Sequence, residues 1–136
     1  MELISLTYTS RASPSLTAGD VDAIHRSALT YNPLDGITGL LVFNGIGFMQ
    51  NIEGGESAID GLVERLLTDS RHSDFFVRDR RKIVERVFSS WSMYRIDVDS
   101  AHAKGLSQIE KSVVGQLDAT MKQVVSDALG LISRID

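Results

Sequence analysis

Residues 31–55, YNPLDGITGLLVFNGIGFMQNIEGG, read as a β-hairpin entered from a helix. Asn44-Gly45 between two apolar runs predicts a two-residue turn with positive φ at both positions. The flanking strands are then Ile37–Phe43 and Ile46–Glu53. Alternation outward from the turn places Ile46, Phe48, Gln50 and Ile52 on one face. Three of these are apolar and one is a carboxamide. A buried amide without partners costs about 1–3 kcal/mol by mutational measures, so Gln50 either pairs inside the core or faces a bound polar molecule.

Working outward, the first strand lies in MELISLTYTS, where Ile4, Leu6 and Tyr8 share the more apolar face. If this strand neighbours the hairpin, Tyr8 points into the same core as Gln50, and a buried phenol needs a partner of that kind. Thr17 with Asp20 forms a capping box opening a helix, whose apolar face carries Val21, Ile24, Ala28 and Tyr31. Pro33 is expected to stop that helix, leaving Asn32 at its C-terminal edge. Gly54-Gly55 ends the hairpin, and a second helix buries Ile59, Leu62, Val63 and Leu66. DSRH, Asp69 to His72, leads into Phe75-Phe76-Val77. A strand from about Lys82 to Phe88 and a short one around Trp91–Ile96 complete a βαββαββ order. That order predicts an α+β, ferredoxin-like sheet with both helices on one face.

After Ser107 the pattern changes. Ile109, Val113, Leu117, Met121, Val124, Ala128, Leu131 and Ile135 form one long amphipathic stripe. One or two C-terminal helices are expected to cover the other face of the sheet, where Leu3, Leu40, Val42 and Met49 need burial. The organisation is therefore a domain at 1–97 with a helical extension at 98–136.

Composition narrows the function. The chain has 136 residues, 43% hydrophobic and 24% charged, an ordinary globular balance. No apolar run approaches a membrane span, and no signal-peptide pattern opens the chain. A cytoplasmic protein without membrane contact is expected. A net charge of −4 argues against nucleic acid as a partner. The absence of cysteine excludes disulfides, thiolate metal sites and thiol chemistry. His25, His72 and His102 make no metal-ligand spacing, and His25 falls on the polar side of the first helix. Arg78 to Lys82 reads as a solvated loop or strand end, with an acid-binding patch as the sharper alternative.

Tyr8, Asn32 and Gln50 converge near the helix-bearing face, and Gly36, Gly39, Gly54 and Gly55 leave room for close approach. Such a set suits a planar heterocycle with several donors and acceptors. On spacing alone it better suits a core in which Tyr8 and Gln50 satisfy each other and Asn32 only ends a helix.

The ordered pieces resemble one family. They are the early strand with Tyr8, Tyr31-Asn32 before GITGLLVFNGIGFMQNIEGG, DSRH, the Arg86/Phe88 strand, and WSM at Trp91 to Met93. Together they resemble the BLUF family of blue-light sensors using flavin, over residues 1 to about 97. The resemblance implies a flavin held between the two helices. FAD is the family's usual choice, although nothing in the sequence separates FAD from FMN or riboflavin. By position, Asn32 would bond the pyrimidine edge, and Gln50 would lie between the flavin N5/C4=O edge and Tyr8. Arg71 would touch the polar edge with His72 beside it, Ile24 and Phe48 would be apolar walls, and Tyr31 would sit where other members carry a different ring. Either Trp91 or Met93 would pack beside Gln50 and exchange places with the other when it switches, the alternative being ordinary edge-strand packing of both. The resemblance further implies a sensor without turnover of its own, a downstream effector protein and self-association into a homo-oligomer.

Two other readings compete. An acylphosphatase-like hydrolase on the same architecture would use Arg11 and Asn51, but it lacks a glycine-rich phosphate cradle. A ligand-sensing oligomerisation domain would make the tail helix the main feature.

Overall fold

The computed structural model describes residues 2–89 and 92–97, and in the tail residues 123, 126, 127 and 130. The elements run β1 (Leu3–Ala12), α1 (Ala18–Asp35), β2 (Thr38–Phe43), β3 (Gly47–Gly55), α2 (Glu56–Leu67), β4 (His72–Ile83) and β5 (Tyr94–Asp97). The sheet order is β4-β1-β3-β2-β5. β1 lies antiparallel to β3 and β4, β2 antiparallel to β3, and β5 parallel to β2. This is the expected ferredoxin-like arrangement with a parallel strand added beside β2.

One face carries the helices. Ile4, Leu6, Tyr8, Leu41, Phe48 and Ile52 from the sheet pack with Val21 of α1 and Ile59 of α2 in one buried cluster. Each such aliphatic side chain removed from water contributes about 1.5–3 kcal/mol before entropy is counted. On the opposite face Leu40, Val42 and Met49 are fully buried, as are Asn51 and Glu53. In the tail, Gln123, Ser126, Asp127 and Gly130 are helical. The apolar tail positions expected to cover that face lie outside the described residues.

Four expectations need correction. The first helix does not stop before Pro33 but runs through it to Asp35. Proline removes one i→i−4 bond, which the final turn tolerates because Gly36, in the left-handed conformation, closes it with bonds to Asn32 O and Pro33 O. Asn32 is therefore inside the last turn, not at its edge. The hairpin turn is shifted by one residue, with Gly45 and Ile46 at its centre and positive φ only at Gly45 (87°). Asn44 instead works through its side chain, whose Oδ1 accepts from the N–H groups of Ile46 and Gly47 at 2.9 and 2.7 Å. The strand expected over residues 82–88 is displaced, because β4 starts ten residues earlier and ends at Ile83, leaving residues 84–88 outside the sheet. Beyond it, the Val87 and Phe88 N–H groups bond to the Glu53 carboxyl rather than to a neighbouring strand. Finally, Arg78 to Lys82 is not a loop but the largely exposed end of β4, as the strand-end reading had it, with Arg78 bonded to Thr9 Oγ1 at 2.8 Å and the other charges in ion pairs. Arg80 meets Glu56 and Asp60, Arg81 meets Asp79, and Lys82 meets Glu2.

Candidate functional site

The register sets Tyr8 directly opposite Gln50, and Gln50 opposite Leu41, so one row across the sheet carries both polar groups. The Tyr8 hydroxyl donates to Gln50 Oε1 at 2.5 Å. Its ring stacks on Phe75, with centroids 4.4 Å apart, and meets the His72 ring edge-on at 6.3 Å. Burial pushes the Tyr8 phenol well above its ordinary titration range, and the Asp69 carboxylate adds to the shift. The phenol is thus neutral at every physiological pH.

At its other end, the Gln50 amide donates through Nε2 to Met93 Sδ at 3.5 Å. A thioether is a weak acceptor. The carboxamide is therefore held firmly at its oxygen and loosely at its nitrogen, and one N–H is uncommitted among the described residues.

Above this row a cavity of about 490 Å³ opens between α1 and α2. Tyr8 and Gln50 line it from the sheet. Ile24 and Ala28, one turn apart on α1, oppose Leu62 and Leu66, one turn apart on α2. All four are only half-buried, although the periodicity marked them as core. Two aliphatic pairs facing each other across a gap form a slot for a flat apolar body, and the volume falls within the ordinary range for cofactor sites, about 300–1,000 Å³.

Polar groups gather at the ends of the slot. Asn32 lines it and is 5% exposed. One amide N–H goes to Ser92 O at 2.9 Å, leaving its carbonyl oxygen uncommitted among the described residues. Arg71 also lines it and is held by Asp69 in a bidentate pair, Nε to Oδ1 at 2.9 Å and an Nη to Oδ2 at 2.6 Å. That pair keeps the Asp69 carboxyl below the usual carboxylate range, its hydrogen bonds to Arg71 being the main cause. At the rim, Arg65 of α2 reaches Asp35 of α1 at 3.5 Å.

The residues singled out from sequence fall into three groups. Tyr8, Ile24, Tyr31, Asn32, Gln50 and Arg71 come together around the cavity, with Tyr31 largely exposed at its mouth. Phe48 and His72 line a smaller adjoining space of about 20 Å³. His72 spends both ring nitrogens there, on Ser10 Oγ at 2.7 Å and Leu66 O at 2.6 Å, and so braces Tyr8. Met93 meets Gln50, while Trp91 lies outside the described residues. The glycines expected to admit a ligand do not line the cavity. A Cβ at Gly39 would strike the Asn51 main-chain oxygen, so that residue serves strand packing.

Sequence reading missed Asp69, Phe75 and the Asp35–Arg65 rim. Asp69 was visible in DSRH, two residues before Arg71. His25 also differs from expectation. It is half-buried and donates through Nε2 to Met93 O at 3.1 Å.

The hydrolase reading finds no support. Asn51 is committed to Ser5 Oγ and Thr7 Oγ1 at 3.0 and 2.9 Å on the far face, and Arg11 pairs with Asp74 at 3.9 Å.

Comparisons with known proteins agree with the geometry. The family described as BLUF, sensors of blue-light using FAD, matches residues 3–94. The photoactivated adenylate cyclase subunits beta and alpha of Euglena gracilis are 38% identical over 93 residues and 35% over 89. These matches span 67% and 65% of this chain but only 11% and 9% of those relatives. Among solved structures, the dark state of the BLUF protein BlrB superposes with a TM-score of 0.74 at 31% identity, covering 93% of this chain and 97% of that one. Klebsiella pneumoniae BlrP1, in a manganese/cy-diGMP complex, gives 0.77 at 31% identity, covering 97% of this chain and 34% of that one. With the motif order, the sheet topology and the Tyr8–Gln50 pair in agreement, the chain belongs to the BLUF family of blue-light sensors.

Proposed function

We propose that the slot between α1 and α2 holds an oxidised flavin without a covalent link, and that Tyr8 and Gln50 convert absorbed blue light into a rearranged hydrogen-bond network. The observation that carries this reading is the Tyr8–Gln50 hydrogen bond beneath a cavity walled by paired aliphatic side chains. FAD is the flavin expected from the family's description, with FMN and riboflavin as outcomes of extraction and chromatography. The donor set suits such a ligand. Asn32 offers an uncommitted carbonyl oxygen, Gln50 an uncommitted N–H and Arg71 a guanidinium to the polar edges, while Ile24, Ala28, Leu62 and Leu66 cover the apolar faces.

When bound, an excited oxidised flavin supplies a one-electron oxidant. Tyr8, buried beneath the slot, is the residue that would give the electron, and an oxidised phenol is a strong acid. Its proton already lies on the hydrogen bond to Gln50 Oε1, so it moves to that oxygen as the electron leaves. The carboxamide both donates and accepts, so it can pass a proton on from Nε2. On return of the electron, the amide is left rotated or tautomerised. The resting arrangement is the one described, with the Tyr8 hydroxyl donating to Oε1. A rearranged amide loses its Nε2 contact with Met93 Sδ, which links the cavity to the segment entering β5. A hydrogen-bond difference of about 1 kcal/mol is enough to shift a bistable element several-fold.

We infer that residues 1–97 are the sensor and 98–136 the output extension, acting on a separate effector protein and through self-association, without turnover by this chain. The Euglena relatives are by name light-activated cyclases, so BLUF sensing accompanies an effector activity in those proteins. Light-minus-dark absorption spectra of the parent, Tyr8→Phe and Gln50→Leu test the photochemistry. The parent should give a small reversible red shift and neither variant should. Normal cycling by Tyr8→Phe would remove Tyr8 as the donor.

A further inference from the structure

We infer that His25 is a positioning residue for the light response, holding Met93 against the Gln50 amide and thereby setting the lifetime of the light-induced state. This inference rests on the photochemical reading above and adds to it a residue outside the cavity.

Met93 needs an anchor that the sheet does not give it. The ladder between β2 and β5 begins at Leu40↔Tyr94, one residue beyond Met93. The methionine is nevertheless 3% exposed, with its sulfur at Gln50 Nε2. Among the described residues, its carbonyl is held by α1. His25 Nε2 donates to Met93 O at 3.1 Å. The flanking residues are tied to the same helix, Ser92 O by Asn32 and Arg95 by Asp22 at 2.6 Å. Asp22, His25 and Asn32 follow one another by three and seven residues, so they form a single stripe along α1. Of the three, Asn32 belongs to the cavity, while Asp22 and His25 do not line it. His25 is thus the side chain that bonds Met93 itself and has no part in the slot.

The clamp belongs to the resting arrangement, in which the Gln50 amide nitrogen meets the thioether. Weakening it removes stabilisation from the state to which the protein returns, and that loss is carried into the barrier of return. Thermal recovery should therefore slow by about two- to tenfold, the factor that corresponds to one side-chain hydrogen bond.

The test uses the full flavin-loaded chain as parent, His25→Leu and His25→Gln, the last offering an amide donor in place of the imidazole N–H. Two readouts are taken. Recovery in the dark reports the lifetime. The Met93 methyl resonance in protein labelled at its methionine methyl groups, assigned with Met93→Leu, reports the placement of the thioether before any light is given. His25→Leu should bind flavin with an unchanged resting spectrum, shift the Met93 resonance and recover two- to tenfold more slowly. His25→Gln should lie close to the parent in both. An unmoved Met93 resonance in His25→Leu, unchanged recovery, or equal effects of the two substitutions would overturn the role assigned to His25 while leaving the photoreceptor reading intact. A parent without the reversible red shift would overturn that reading and the lifetime role with it.

Discussion

Replacing Glu53 should damage this protein more than any surface carboxylate would. Its side chain is wholly buried on the face of the sheet away from the cavity. One carboxyl oxygen accepts from Phe88 N at 2.9 Å and Thr38 Oγ1 at 3.1 Å, and the other accepts from Val87 N at 2.6 Å. Arg86 completes the knot by donating to Thr38 Oγ1 and to the Glu53 main-chain oxygen, both at 3.0 Å. Glu53→Ala leaves the N–H groups of Val87 and Phe88 without their acceptor. At about 1–3 kcal/mol for each stranded buried donor, the loss is about 2–6 kcal/mol before any cavity term. That is a large part of the 5–15 kcal/mol typical of a whole domain. Glu53→Gln keeps one acceptor oxygen and should lose about half as much. Urea unfolding followed by circular dichroism reads the difference as a shift in midpoint at constant slope. A Glu53→Ala midpoint equal to the parent's would show that the two N–H groups find other partners, and the anchoring role would be withdrawn.

Three further outcomes are expected. The Tyr8 phenol titrates above its ordinary value in the folded chain, so the stability it contributes is whole below about pH 10 and falls as pH rises beyond it. Tyr8→Phe should flatten that alkaline loss in unfolding curves taken across the window, and an unchanged slope would contradict the burial argument. Asp69 has the opposite sign. Its depressed titration contributes stability above about pH 4 that is lost as pH falls through the folded value. Parent and Asp69→Asn should therefore converge in acid and separate towards neutrality, and parallel curves would refute it. Ala28→Trp would fill the slot from α1, so the variant should fold by circular dichroism yet purify without the flavin absorption band. Retention of flavin would place the ligand elsewhere.

Much of the fold was legible because periodicity and turn chemistry agreed. The capping box at Thr17 and Asp20 forms as expected, with both reciprocal bonds present. The pairing of Tyr8 with Gln50 follows from two alternation patterns once the strands are neighbours, a condition that the β1–β3 ladder meets. The errors have physical sources. Pro33 reads as a stop in the sequence because its effect on backbone hydrogen bonding is local, whereas the Gly36 cap that rescues the last turn lies three residues on. β4 was hidden because an edge strand keeps charged side chains, and Arg78 to Lys82 gave no two-residue alternation. Of the cavity walls only Ile24 is named from sequence; Ala28, Leu62 and Leu66 read as core because half-buried side chains beside a ligand slot have the same spacing as side chains packed on a sheet. His25 gave no signal at all, since its partner is a main-chain oxygen 68 residues away.

The central place of β3 has a mechanical consequence. With ladders to β1 on one side and β2 on the other, its backbone is a stiff anvil, further pinned from behind by Asn51. The Gln50 amide can therefore yield only about its own side-chain bonds, and whatever it does must leave the domain sideways, through whichever neighbour is not stitched into the sheet. The residue just before β5 is such a neighbour, so under the proposed photochemistry the stiffness of the middle strand would give the signal its direction.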